Sequence, residues 1–315
     1  MKTILITDTH FGVKQNSVNW LNSQLEFIED QLIPYIQKLS EKPRLIHLGD
    51  VFDSRSTIST FVATKVIEVF KKLSEVTEDF IIIGGNHDFY SPNSDQIDTL
   101  NLLLGNLGIK IITKQCEIQD DNIYVPWYEW INNQDGIQQL INKHNIKNLF
   151  THTDIVSENV TIRCDRVFSG HVHIPYVNGR LWNLGSTYAL NFADANQARG
   201  FYVKHEDDKV DFIENEKSFK FWRFKNDEIF DIDRINKNDY VEIYISRGNY
   251  SLTSYEKQLD YISKNWKNLW IIPVQDALID GNNNLFECPD IEQIAKASIP
   301  EYLQDKFNLI LNSLK

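Results

Sequence analysis

Cysteine is scarce in this chain. The 315 residues hold three, Cys116, Cys164 and Cys288, far apart and without a CxxC spacing. An odd, sparse set of this kind excludes a disulfide framework and a thiolate metal site. It fits a reducing compartment, the cytoplasm, where cysteines pack as small apolar groups. Long apolar runs are missing too: none approaches the ~18 residues that crossing a bilayer requires, so no membrane is expected. The opening MKTILITDTH does not read as a leader, because its apolar stretch is short and breaks at Asp8; a first buried strand is expected there. Repeats and low-complexity stretches are absent. Positive charge is in short supply, with 32 Lys+Arg against 44 Asp+Glu and a formal net charge of −12. Such a chain does not draw a phosphate backbone through its overall field. If the substrate is a polyanion, bound cations and local Lys/Arg groups must overcome the average. What is present, 42% hydrophobic and 12% aromatic residues, suffices for one large domain and a smaller one and argues against long disorder.

Apolar runs at Thr3–Thr7, Arg44–Leu48, Phe80–Ile83, Asn148–Thr151 and Asp165–Ser169 read as strands. Between the first two, Leu21, Leu25, Ile28, Leu32, Tyr35, Ile36 and Leu39 step by three and four, predicting an amphipathic helix over about 18–39. Thr60–Leu73 repeats that pattern, and Asp95–Leu107 does so less cleanly. Strand, loop, helix, strand is the rhythm of a layered α/β fold. Lys110–Thr113, Glu117–Ile118, Asn122–Val125, Arg180–Trp182, Phe201–His205 and Val210–Glu214 suggest a second, more antiparallel sheet. Phe219–Asp231 reads as a charged and aromatic connector. Tyr240–Ser246, Leu252–Trp266 and Leu269–Val274 then read as a small strand–helix–strand unit. Ser298-Ile-Pro-Glu301 matches a capping box ahead of an apolar stripe (Leu303, Phe307, Ile310, Leu311, Leu314) on a final helix, which could dock on its own domain or on a partner. Three domains are expected: residues 1–218, 219–285 and 286–315.

Four segments that follow strand-like runs carry oxygen or imidazole ligands: DTH (Asp8, His10), GDVFD (Asp50), GGNHD (Asn86, with His87 beside it) and GHVH (His171, His173). His152 in FTHTD ends a fifth run. Carboxyl ends of strands are where open α/β sheets bind their ligands. Asp8 and His10 are two residues apart, so in extended geometry they leave one face and can grip one ion; His171 and His173 repeat this. Asp50 is the natural anionic bridge between two ions. Carboxylate, carbonyl and imidazole together suit manganese first, with iron or zinc as alternatives. Two such ions clamp a phosphoryl group and generate a nucleophile near neutral pH.

The order DxH, GDxxD, GNHD, a lone His after a strand, and GHxH resembles the calcineurin-like metallophosphoesterase family over about residues 1–215. The resemblance implies a four-layer α/β/β/α sandwich with a small α+β cap and a C-terminal helical segment. It implies two divalent ions, one held by Asp8, His10, Asp50 and His173, the other by Asp50, Asn86, His152 and His171. His87 would be the acid outside the metal shell, and Asp53 the carboxylate that orients it. DTHFG, GDVFDSR, the VPW at Val125–Trp127 and SGHVH with NLGST (Asn183–Thr187) are similar to the SbcD and Mre-type recombination nucleases. Mre-type enzymes often have His where Asp53 stands, which favours the SbcD and phage branch. That likeness implies a nuclease subunit, 3′-to-5′ exonuclease and single-strand endonuclease, working on DNA as a homodimer within a heterotetramer with an SMC-like SbcC/Rad-type ATPase. A small-molecule phosphodiesterase or phosphatase and a non-catalytic scaffold are the competing readings. Whether Trp127, Trp130 and Trp182 stack on bases or pack, and whether Lys257, Lys264 and Lys267 touch phosphates or face solvent, is left open.

Overall fold

Alternation along the strands sets the layers. Ile4 and Ile6 face one core while Leu5 between them faces another, and Tyr124 faces the second core while Ile123 and Val125 face a third. Three cores separate four layers. The computed structural model describes residues 1–155, 162–225, 235–246, 264 and 268–274. Within them the strands are β1 (Thr3–Ile6), β2 (Arg44–His47), β3 (Asp79–Ile83), β4 (Phe89–Ser91), β5 (Ser94–Asp98), β6 (Lys110–Ile112), β7 (Glu117–Gln119), β8 (Asn122–Val125), β9 (Asn148–His152), β10 (Arg166–Gly170), β11 (Tyr176–Asn178), β12 (Leu181–Asn183), β13 (Gly200–Lys204), β14 (Val210–Glu214), β15 (Phe221–Lys225), β16 (Tyr240–Ser246) and β17 (Asn268–Val274).

One six-stranded sheet has the order β14-β13-β1-β2-β3-β6, the other β11-β12-β10-β9-β8-β7. The middle core, with Leu5, Ile46, Ile81, Phe150 and Phe168, lies between them. The first core packs the outer face of the first sheet against helices Val18–Phe27, continued through Gln37, and Thr60–Val76. The third packs Leu149 and Val167 against Trp130, Ile137 and Ile141 of helices Trp127–Asn132 and Gln134–His144. This is the expected α/β/β/α sandwich. Fully burying a Leu, Ile or Phe contributes about 1.5–3 kcal/mol, so the three cores dominate the stability.

The sheet memberships differ from the sequence reading. β6, β13 and β14 join the first sheet, and the second is parallel through β8, β9, β10 and β12 with antiparallel β7 and β11 only at its edges. Strand texture reports burial, whereas sheet membership depends on pairings such as Leu5 with Tyr202, which no local pattern encodes. Asp95–Leu107 begins as β5, and its helix, Thr99–Leu104, starts where Asp98 accepts from Asn101 N at 2.7 Å.

Phe221–Lys225, within the stretch read as connector, is a strand of a parallel three-stranded sheet ordered β15-β16-β17. Its rings pack on the rest of the fold: Trp20 meets Phe219, Phe221 and Tyr240 at centroid distances of 5.7, 5.9 and 5.7 Å, and Phe192 meets Phe221 at 4.9 Å. The described residues belong to one compact unit within 1–274. Residues 275–315, and with them Cys288, the capping box at Ser298 and the expected final helix, lie outside the described residues. So do Lys257, Lys267 and most of Leu252–Trp266. No described helix is long and apolar enough to cross a membrane.

Candidate metal centre

β1, β2 and β3 run parallel, as do β9 and β10, so their carboxyl ends deliver loops to one edge of the sandwich. The DTH and GDVFD loops are zipped together by His10 N to Asp50 O at 3.0 Å, Phe11 N to Val51 O at 2.8 Å and Asp53 N to Phe11 O at 3.0 Å. Asp8, His10, Asp50 and His171 all have positive φ (51°, 41°, 53° and 79°), a region that non-glycine residues enter at a cost. Four strained positions among seven candidate ligands mark a constellation that the surrounding packing holds in place. Gly49, at φ 99°, permits the turn before Asp50. A Cβ on Gly85 would stand 2.3 Å from Asp50 N and Oδ1, so the GNHD loop can approach Asp50 only through a glycine.

All seven predicted ligands come together. Asp8 Oδ1 lies 3.7 Å from His10 Nε2 and 3.8 Å from His173 Nε2, and those two nitrogens face each other at 3.2 Å. Asp8 Oδ2 is satisfied by the Thr7 hydroxyl (2.6 Å) and His171 N (3.1 Å), whereas the buried Oδ1 has no hydrogen-bond partner among the described residues. Beside this group, His152 Nε2 lies 3.3 Å from Asp50 Oδ1 and 3.1 Å from Asn86 Oδ1, which also meets His171 Nδ1 at 2.9 Å. Asp50 Oδ2 reaches back to His10 Nε2 at 3.7 Å and so stands between the two groups. Asp8–His10–His173 and Asp50–His152–His171 each place three donor atoms within 4.8 Å of one another. An orphaned carboxylate oxygen opposed by two imidazole nitrogens is the donor set of a divalent cation, and the residues fit two such ions.

Further contacts fix the imidazoles. His152 Nδ1 donates to Leu48 O at 2.7 Å, which turns Nε2 toward Asp50 and Asn86. Burial disfavours its charged form, but the Asp50 and Asp8 carboxylates and the Leu48 carbonyl outweigh burial and lift it to about 9. His10 is likewise raised, burial being overcome by Asp8, Asp50 and Asp53. Burial opposes ionisation of Asp8 and Asp50, yet the surrounding histidines hold both carboxyls well below the usual range. Burial lowers His171 and His173.

His87 stands on the rim, its ring edge-on to His10 at 5.0 Å. Its main-chain N–H donates to Asp50 Oδ1 at 2.8 Å. Its Nδ1 meets the main-chain carbonyl of Asp53 at 2.5 Å, so Asp53 orients this ring through its backbone, and its carboxylate lies 3.6 Å from His10 Nδ1. His10, Asp50 and His87 also form a third group within 4.8 Å.

Sequence reasoning passed over several supports. His47, three residues before Asp50, accepts from Gly49 N at 3.2 Å through Nδ1, and its Nε2 meets Thr9 Oγ1 at 2.9 Å. Burial lowers it to about 3, so it stays neutral. Gln24 donates to the carbonyls of Thr9 and His10, and the Tyr188 hydroxyl donates to Thr9 O. An imidazole inside the apolar run LIHLGD and a glutamine on a helix's buried face were the available clues. Asp88 is fully buried and takes N–H bonds from Gly85, Asp50, Val51 and Phe52. Burial and the nearby Asp50 raise it to about 7. Trp130 and Trp182 pack on hydrophobic cores, and Trp127 packs on Phe89 and Arg55.

The carboxylates and imidazoles open on a cleft of about 500 Å³ whose walls include His10, Asp50, Asn86, His87, His171 and His173. Fold and site together define a metal-dependent hydrolase. The profile of the calcineurin-like phosphoesterases matches residues 1–175, and the chain belongs to that family. Its members are metal-dependent hydrolases of phosphoesters. Comparison with curated proteins returned no match. Among solved structures the chain is similar to the 5′-nucleotidase precursor from Thermus thermophilus, at 11% identity and a TM-score of 0.34, covering 69% of this chain and 49% of that one. The chain thus spans about half the length of that relative.

Proposed function

We propose that the protein is a metal-dependent phosphodiesterase acting on DNA, the nuclease subunit of a two-part machine whose ATPase partner supplies much of the DNA grip. The observation that carries phosphodiester hydrolysis is the convergence of seven oxygen and nitrogen donors into two adjacent groups with Asp50 between them. Support for DNA comes from the DTHFG, GDVFDSR and NLGST segments; the net charge of −12 opposes a polyanion and leaves its grip to local cations and a partner. Asp8, His10, Asp50 and His173 would hold one ion, and Asp50, Asn86, His152 and His171 the other. Divalent ions there, manganese by this donor set, supply charge neutralisation on the phosphoryl oxygens and acidify an attacking water. His87, with Nδ1 on the Asp53 carbonyl, keeps Nε2 to deliver a proton to the leaving oxygen.

The direct test is purified protein with manganese on labelled linear DNA and on bis(4-nitrophenyl) phosphate. Cleavage of the small ester but never of DNA would sink the nuclease reading. His87→Ala is expected to lower hydrolysis roughly 10²–10⁴-fold while both metals stay bound. Loss of metal in that variant would make His87 a ligand instead.

Metal loading is expected to release protons. A ligating imidazole must be neutral, and His152 at about 9 is protonated in the metal-free protein at neutral pH. Affinity should therefore rise with pH until about 9. Calorimetric titration in buffers of different ionisation enthalpy reads this directly, and no proton exchange at pH 7 would contradict it.

A further inference from the structure

The cleft that must admit a polyanion carries Asp50, Asp53 and four imidazoles on its walls, and among its described lining residues Lys14 is the one Lys or Arg. Its backbone is pinned. Lys14, Gln15 and Asn16 take φ values of 54°, 58° and 61° in succession after Gly12 at 94°, a left-handed turn that L residues disfavour and that something must hold. The holding contacts start at the candidate ligand itself. Val13 N donates to His10 O at 3.2 Å, and Asn16 N to Gly12 O at 2.8 Å. Asn16 Oδ1 accepts from Ser59 N at 2.9 Å, pinning the turn to the start of the helix Thr60–Val76. The Lys14 ammonium sits over the Trp20 ring, 5.7 Å from its centroid, and Trp20 is fixed in the core by Phe219, Phe221 and Tyr240. Meanwhile Asp50 Oδ2 and Asp53 Oδ1, the carboxylates of the cleft, turn toward His10 at 3.7 and 3.6 Å. Lys14 thus lines the cleft on a pinned turn, its exposed side chain resting on the Trp20 ring, four residues along the chain from a metal-site imidazole.

We propose that Lys14 determines substrate class: its ammonium binds the backbone phosphate next to the scissile one, so that the cleft selects a chain of phosphodiesters over an isolated phosphoester. This rests on the reading of the site as a DNA phosphodiesterase. A lone ester places its phosphate at the Asp/His groups and has nothing to offer Lys14. A polynucleotide offers a second anion, and the charge-assisted bond counters the acidic field of the chain.

The test compares a dT tetranucleotide with bis(4-nitrophenyl) phosphate, using the full chain with manganese. In Lys14→Ala the ratio of kcat/KM for the oligomer to that for the small ester is expected to fall about tenfold or more, chiefly through KM. Lys14→Arg, which keeps the charge, should restore most of it. A ratio unchanged in Lys14→Ala, whether both activities persist or fall together, overturns the role of Lys14 and leaves the nuclease reading intact. Wild-type protein that cleaves the small ester but not the oligomer overturns both. Binding is read apart from turnover by fluorescence anisotropy in the His87→Ala background. There, adding Lys14→Ala should weaken oligomer affinity about tenfold and make the log–log salt slope shallower by about 0.7, one phosphate contact. An unchanged slope would contradict the proposal.

Discussion

Asp50→Asn should leave the protein folded, strip it of at least one of two metal ions, and lower phosphodiester hydrolysis roughly 10⁴-fold, about 5 kcal/mol of barrier. Asparagine keeps the shape of the side chain and tolerates the positive φ of 53° at this position. Its oxygen can still accept from His87 N, and the Asp50 main-chain N–H keeps its bond to Asp88. What it removes is the anionic charge that stands between His10 Nε2 at 3.7 Å and His152 Nε2 at 3.3 Å. Two divalent cations side by side need an anion between them, and a neutral amide oxygen does not offset their repulsion. Metal content by mass spectrometry under native conditions, with steady-state hydrolysis of bis(4-nitrophenyl) phosphate, checks both halves. Retention of two ions with near wild-type turnover would remove Asp50 from the bridging position.

Asp88→Ala acts on stability. One buried carboxylate accepts from four main-chain N–H groups of two loops: Gly85 and Asp50 on Oδ2, both at 2.9 Å, and Val51 and Phe52 on Oδ1, at 3.0 and 3.3 Å. Alanine leaves these donors unpaired in a dry site. Each such orphan costs about 1–3 kcal/mol, and with partial relaxation the whole is expected to be roughly 4 kcal/mol. Asp88→Asn is not a full rescue, because its amide nitrogen would oppose N–H donors; about 2 kcal/mol is expected to be lost there. Urea unfolding of the metal-free protein gives both values. An alanine variant within about 1 kcal/mol of wild type would show that water replaces the carboxylate. The same substitution should lower activity, since the carboxylate ties the loop of Asp50 to the loop of Asn86 and His87.

Legibility differed from residue to residue for physical reasons. Apolar runs ending in Asp, Asn or His were readable because a buried strand that stops on a polar group needs a partner for it. Asp53 shows where that reasoning stops. Its nearness to GNHD was legible, but whether its carboxylate or its carbonyl meets His87 depends on a loop conformation set by the Phe11–Asp53 backbone bond. His47 and Gln24 look like ordinary members of a strand and a helix until the fold brings Gly49, Thr9 and His10 against them. Lys14 gave no local sign at all, since a lysine after a glycine-containing turn is common surface chemistry.

By itself the sequence determined the layered α/β class, the strand-end positions of the donors and the acidic balance, because period-two burial and local composition write these directly into the chain. Tertiary structure alone decided which strands share a sheet, that Asp88 ties two loops together, and that Lys14 lines the cleft. Those facts rest on contacts between residues tens to more than a hundred positions apart, whose energies depend on the closed fold and leave no trace in any local window.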